Sequence, residues 1–197
     1  ADKYRSDAVA TYQIALALRD LGLFDTSLQI AYRVYLASPQ NGNLPATPRL
    51  LQRLIYPTPY QSLILKEADK NGVDALLVYA MIWQESQFDP GGTSSASALG
   101  LTQVIPSTGR GIATALGKSG FQTDDLYKPY VSLEFGAYYI GAQYQRFSKN
   151  WLVALAAYNG GPGNAAKWLD ADTDMFVEKI GLSETWQYVR RIYQHYG

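Results

Sequence analysis

The sequence predicts an all-α fold with at most a minor β excursion, on three observations. Apolar residues recur every three to four positions along most of the chain, glycine and proline breaks separate these periodic runs, and no stretch reads as a clear strand. The length of 197 residues, 47% of them apolar, provides for one ordinary core with a small accessory element.

The elements are taken in chain order. Tyr12, Leu16 and Leu23, then Leu28, Ala31, Val34 and Tyr35, recur at helical intervals around a break at Gly22, which predicts a helical hairpin. Such a pair cannot bury its apolar faces alone, so it packs on the next part of the chain or ends a longer helical array. Ser38-Pro39-Gln40-Asn41-Gly42-Asn43-Leu44-Pro45 is turn-forming in nearly every residue, and divides the chain into a hairpin over 1–44 and a main domain over 45–197. Beyond Tyr56-Pro57-Thr58-Pro59 a helix is expected from about Tyr60 to Lys70, ending at Asn71-Gly72. Asp74 can cap the next, which runs towards Phe88 and is stopped by Pro90. Residues 91–100 form a small-residue loop, with a short β excursion expected near 100–103. Further helices are expected over 106–116, 131–147, 151–158, 162–169, 173–180 and 183–195, with a turn at 117–120.

Composition narrows the function. Seventeen basic residues balance seventeen acidic ones, so the electrostatic footprint of a nucleic-acid or anionic-membrane binder is missing, while a neutral polymer would suit the surface. No run approaches the eighteen or so apolar residues of a membrane helix, and Ala1-Asp2-Lys3-Tyr4-Arg5 lacks the hydrophobic centre of a signal peptide. The absence of cysteine excludes disulfides, thiol catalysis and thiolate metal sites. Gly117-Lys118-Ser119 misses the phosphate-loop spacing by one residue. The serines at 94, 95 and 97 lack nucleophile-elbow framing, and the single histidine, His195, is expected to meet the carbonyl end of the last helix rather than to serve a triad or a zinc ion. No metal or cofactor is implied.

One carboxylate stands out. With Asp74 as cap, Val78, Met81 or Ile82, and Glu85 share one helix face, which puts Glu85 on the apolar stripe. Burial there favours the neutral acid and raises its pKa, as a general acid near neutral pH requires. Position alone leaves open the alternative of a glutamate at a helix end that points to solvent or caps a neighbouring amide.

The neighbourhood of Glu85 supplies more. Gln84-Glu85-Ser86-Gln87-Phe88-Asp89-Pro90, Gly100-Leu101-Thr102-Gln103-Val104-Ile105-Pro106-Ser107-Thr108, Ala157-Tyr158-Asn159-Gly160-Gly161-Pro162-Gly163 and Glu184-Thr185-Trp186-Gln187-Tyr188-Val189 resemble the four successive motifs of soluble lytic transglycosylases, which share a lysozyme-like fold with goose-type lysozymes. The preceding hairpin resembles the end of the helical superhelix in larger members. The resemblance implies that Glu85 is the single catalytic acid/base and that Ser94 hydrogen-bonds near it and the substrate. It further implies that Gln103 and Ile105 line the groove, that Tyr158 turns its hydroxyl to the catalytic carboxyl group beside Asn159, and that Glu184 binds sugar or peptide groups at the cleft edge. Ser97 stands where the family usually has glycine, Thr102 where it often has methionine, and Gly160 where alanine is common. None of these removes a group that handles protons.

The reaction so implied needs one carboxylate, where ordinary glycosidases place two about 5–9.5 Å apart. Glu85 would protonate the oxygen between N-acetylmuramic acid and N-acetylglucosamine, then deprotonate the muramoyl C6 hydroxyl as it closes a 1,6-anhydro ring. Asp89, Asp124 and Asp125 suit local capping better than catalysis. The implied partner is the glycan strand of peptidoglycan, in a bacterial periplasm or cell envelope. A hydrolytic lysozyme and a non-catalytic glycan-binding module are the alternatives.

Overall fold

The computed structural model describes residues 7–39 and 43–196, so positions 40–42 of the turn-forming stretch lie outside it. The chain divides into two compact units, one reaching to Pro59 and including Gln87–Asp89, the other made of Tyr60–Ser86 and the residues from Pro90 on. The described residues hold α-helices and short 3-10 turns but no sheet, and the expected β excursion is limited to isolated bridges between Thr93 and Leu99 and between Leu99 and Val104. No helix among them is long and apolar enough to cross a membrane.

In the first unit, α1 (Ala8–Asp20) and α2 (Phe24–Leu36) form the expected hairpin. Asp7 starts α1 by accepting from the amides of Val9 and Ala10, both at 3.0 Å. Buried Ser27 ties the two helices together, its hydroxyl donating to the carbonyl of Ala15 at 2.7 Å. A third helix, α3 (Arg49–Ile55), was not expected from the sequence. Its Leu51, Leu54 and Ile55 are spaced as one helix face and are buried against Ala15, Ala31 and Tyr35. The Gln52 side-chain amide holds the approach to it, donating to the carbonyls of Leu44 (3.0 Å) and Thr47 (2.6 Å). The hairpin's apolar face is thus covered by α3, and this unit runs past residue 44, where the turn residues suggest a boundary.

The second unit comprises α4 (Gln61–Asn71), α5 (Ala75–Ser86), α6 (Pro106–Ala115), α7 (Pro129–Arg146), α8 (Trp151–Gly160), α9 (Pro162–Trp168), α10 (Thr173–Lys179) and α11 (Ser183–Tyr196). Helix α7 packs against α4, α6 and α8, and α11 packs against α5 and α8. Helix α5 starts where Asp74 accepts from the amide of Leu76 at 2.7 Å, and it buries Leu77, Val78, Ala80, Met81, Ile82 and Trp83. It ends at Ser86, earlier than Pro90 would dictate, because Gln87 (φ 53°) and Phe88 (φ 67°) are both left-handed and close the helix two residues sooner. Glu85 therefore lies in the last turn.

Two contacts place the loop after α5. Gly136 brings α7 so close to Thr102 that a Cβ there would stand 2.5 Å from the threonine side chain. Buried Thr102 donates through Oγ1 to the carbonyl of Ser132 (2.8 Å), and its amide donates to the Ser132 hydroxyl (3.1 Å). Glu134 of α7 also pairs with Lys70 of α4 (3.3 Å) and with Lys118 after α6 (2.8 Å). Asp125 is occupied locally, accepting from the amide of Gln122 (2.8 Å) and from Lys128 (2.7 Å).

Candidate active site

A concavity of the second unit encloses about 600 Å³. The end of α5 supplies Gln84 and Glu85. The next loop supplies Ser94, Ala96, Ala98, Gln103, Val104 and Ile105, and α6 and α7 contribute Thr108 and Tyr139. The α8–α9 turn supplies Tyr158, Asn159, Gly161 and Pro162. One face of α11 closes the ring with Glu184, Gln187, Tyr188 and Arg191. The pocket thus brings together Glu85, Ser94, Gln103, Ile105, Tyr158, Asn159 and Glu184, while Asp89 does not border it.

Glu85 stands on the pocket wall with a strongly altered acidity. Its pKa is raised from the usual 4.5 to about 8, first by burial and also by the nearby charge of Glu184, against a lowering influence from Tyr188. The Tyr188 hydroxyl donates to Glu85 Oε1 at 2.5 Å. The hydroxyl bonded to Glu85 is thus that of Tyr188, a residue the sequence expectation left without a role. Tyr158 instead donates to the carbonyl of Thr102 at 2.7 Å. Both tyrosines have pKa values well above the ordinary one, because burial and then the charge of Glu85 disfavour the phenolate, so both remain neutral hydroxyls. Sequence reasoning gave Tyr188 no role. The available signal was helical spacing, because Glu184, Gln187, Tyr188 and Arg191 fall at i, i+3, i+4 and i+7 and share one face of α11.

The remaining side chains mostly shape the walls. Ser94 accepts from the amides of Ala96 (3.2 Å) and Ala98 (3.0 Å), so its hydroxyl stabilises its own loop rather than reaching Glu85. Gln103 takes φ 47° and its side-chain amide donates to the carbonyls of Gly92 (3.1 Å) and Gly100 (2.9 Å). Gly100 is needed at that point, since it has φ 72° and a Cβ there would lie 2.0 Å from the carbonyl oxygen of Leu126. Asn159 accepts from the hydroxyl of Thr185 at 2.7 Å, which ties the α8–α9 turn to α11. Ile105 is exposed at the rim, as is Glu184. The ring of His195 lies on Trp83, with centroids 3.9 Å apart, and burial with the Arg191 charge lowers its pKa to about 4.

The family model for the transglycosylase SLT domain matches residues 62–178. The soluble lytic murein transglycosylase of Escherichia coli K12 is 30% identical over 143 residues, covering 70% of this chain and 22% of that protein. The membrane-bound lytic murein transglycosylase C of Haemophilus influenzae PittEE is 35% identical over 131 residues, covering 61% of this chain and 36% of that protein. The crystal structure of the 70 kDa soluble lytic transglycosylase of E. coli superposes with a TM-score of 0.80 at 26% identity, over 93% of this chain and 29% of that one. The chain therefore spans well under half the length of these relatives.

Proposed function

The chain belongs to the transglycosylase SLT domain family, and from that premise we propose that it cleaves the β-1,4 bond between N-acetylmuramic acid and N-acetylglucosamine in peptidoglycan without water, using Glu85 as acid and then as base. The observation that carries this reading is the Glu85 carboxyl group, held protonated up to about pH 8 on the wall of a pocket large enough for a glycan.

The chemistry rests on that protonation state. Tyr188 occupies Oε1, so the transferable proton belongs on Oε2. Its transfer to the glycosidic oxygen lets the C1–O bond break, and the positive charge growing at C1 is supported by the acetamido oxygen of the same sugar. The carboxylate left behind is costly in its buried setting, which makes it a competent base. It takes the proton from the muramoyl C6 hydroxyl as O6 bonds to C1, which closes the 1,6-anhydro ring and restores the acid. Tyr188 steadies the carboxylate between the two steps, and Tyr158 and Gln103 keep the Thr102 turn in place beside the sugar. Ser94, Ile105, Asn159 and Glu184 are assigned here to the substrate-binding wall.

The corresponding partner is the peptidoglycan strand, and the corresponding location is the bacterial periplasm or cell envelope. Mass spectrometry of sacculi digested with the protein tests the reaction. Anhydromuramoyl ends are expected; reducing muramic acid ends would replace the transglycosylase with a lysozyme-type hydrolase, and intact strands would leave only a glycan-binding module.

A further inference from the structure

Arg190 and Arg191 are neighbours on α11, but their guanidinium groups are used differently. Arg190 lies over the ring of Trp186, 4.3 Å from its centroid, and does not border the pocket. Arg191 borders the pocket that contains Glu85 and is the sole cation among the described residues that line it. Its Nη2 donates to Gln187 Oε1 at 3.3 Å, and among the described residues no carboxylate pairs with it. An exposed guanidinium that no described carboxylate claims, bordering the same pocket as Glu85, is suited to an anion brought by the substrate.

Resting on the function proposed above, we propose that Arg191, with Gln187 beside it, binds a carboxylate of the peptidoglycan strand. Its planar fork can give two parallel hydrogen bonds to a carboxylate, a geometry that a lysine cannot reproduce. Muramoyl residues carry a lactyl carboxyl group, free in peptide-free strands and amide-linked to a stem peptide with carboxylates of its own in the others. N-acetylglucosamine carries none. Glu184 lies on the same pocket face two turns earlier, about 10 Å along the axis at the helical rise of 1.5 Å per residue. A negative charge at one end of this face and a positive charge at the other repel and attract the strand's carboxylates respectively. They favour one strand direction across Glu85.

Calorimetric binding to Glu85→Gln protein, with and without Arg191→Gln, tests this with three ligands: chitohexaose, peptide-free strands and peptide-bearing strands. Arg191→Gln is expected to weaken carboxylate-bearing strands about tenfold, as for loss of a charge-assisted pair, and to change chitohexaose by less than about twofold. Arg191→Lys should recover part of the loss. Loss on peptide-free strands alone assigns the lactyl carboxylate, loss on peptide-bearing strands alone assigns the stem peptide, and loss on both means that Arg191 takes whichever carboxylate the strand presents. Equal weakening of chitohexaose, or no weakening of either strand, overturns the proposal while leaving the reaction in place. If the Glu85→Gln protein binds no glycan at all, the proposed function falls and this inference with it.

Discussion

Glu85 sits under opposed influences. Burial lifts its pKa and the Tyr188 hydroxyl pulls it back, leaving it near 8. Glu85→Gln keeps the shape and removes the proton, so turnover of purified sacculi should fall by at least about a thousandfold, within the usual worth of acid–base catalysis, with the circular dichroism spectrum unchanged. The same substitution alters stability with a definite sign. The folded wild type holds its proton to about pH 8 and the unfolded chain only to about 4.5. Wild-type stability therefore falls across that window as pH rises, by at most about 1.4 kcal/mol per pH unit, and the glutamine variant lacks this slope. Urea melts at pH 5 and pH 8 should show the variant gaining on the wild type at the higher pH; parallel pH dependences would mean that Glu85 titrates normally. Tyr188→Phe removes the hydrogen bond that lowers the Glu85 pKa. The alkaline limb of kcat/KM should move upward and the rate should drop about tenfold; a limb that moves down would reverse the assigned direction. Motif resemblance led to Glu85, but its hydroxyl partner was not legible, because Tyr158 and Tyr188 are equally plausible in a linear sequence and only the contact of α11 with α5 selects Tyr188.

Among the elements, the Gly100–Val104 turn is set by α7. Gly136 admits Thr102, Thr102 is bonded to Ser132, and Tyr158 is bonded to the Thr102 carbonyl, so the pocket wall and the helix beneath it are one packed assembly. Gly136→Ala inserts a methyl 2.5 Å from Thr102. It should destabilise by about 2 kcal/mol or more, as overpacking does, read as a lower urea midpoint. Thr102→Val leaves the buried Ser132 carbonyl without this donor and should cost about 1–3 kcal/mol, whereas Thr102→Ser should recover most of it. Equal midpoints for valine and serine would remove the hydroxyl from the account. Most helices were legible from periodicity and caps. Helix α3 was not, because Pro45, Pro48, Pro57 and Pro59 surround a single short turn-and-a-half of apolar spacing that becomes a helix only by packing on the hairpin. The early end of α5 was equally hidden, since consecutive left-handed residues at Gln87 and Phe88 carry no glycine signal.

For the whole molecule, the formal charges cancel at seventeen of each sign, and the sequence pI is about 6.8. Folding breaks that balance. A protonated Glu85 leaves seventeen cations facing sixteen anions near neutral pH. The depressed His195 gives back less than one charge, since an ordinary histidine is already mostly neutral at the isoelectric point. Native isoelectric focusing should therefore give a higher pI than focusing in urea, and Glu85→Gln should show how much of the difference is due to this group. A native pI at or below the urea value would contradict a protonated Glu85. The sequence by itself determined the helical class, the neutral charge balance and seven of the residues that border one pocket, because periodicity, composition and motif order are properties of the chain read in one dimension. The tertiary structure alone decided that α3 covers the hairpin, that Tyr188 rather than Tyr158 bonds to Glu85, and that Arg191 faces the pocket while Arg190 does not. Each of these depends on which helix faces meet, and burial and hydrogen-bond geometry are fixed only when they do.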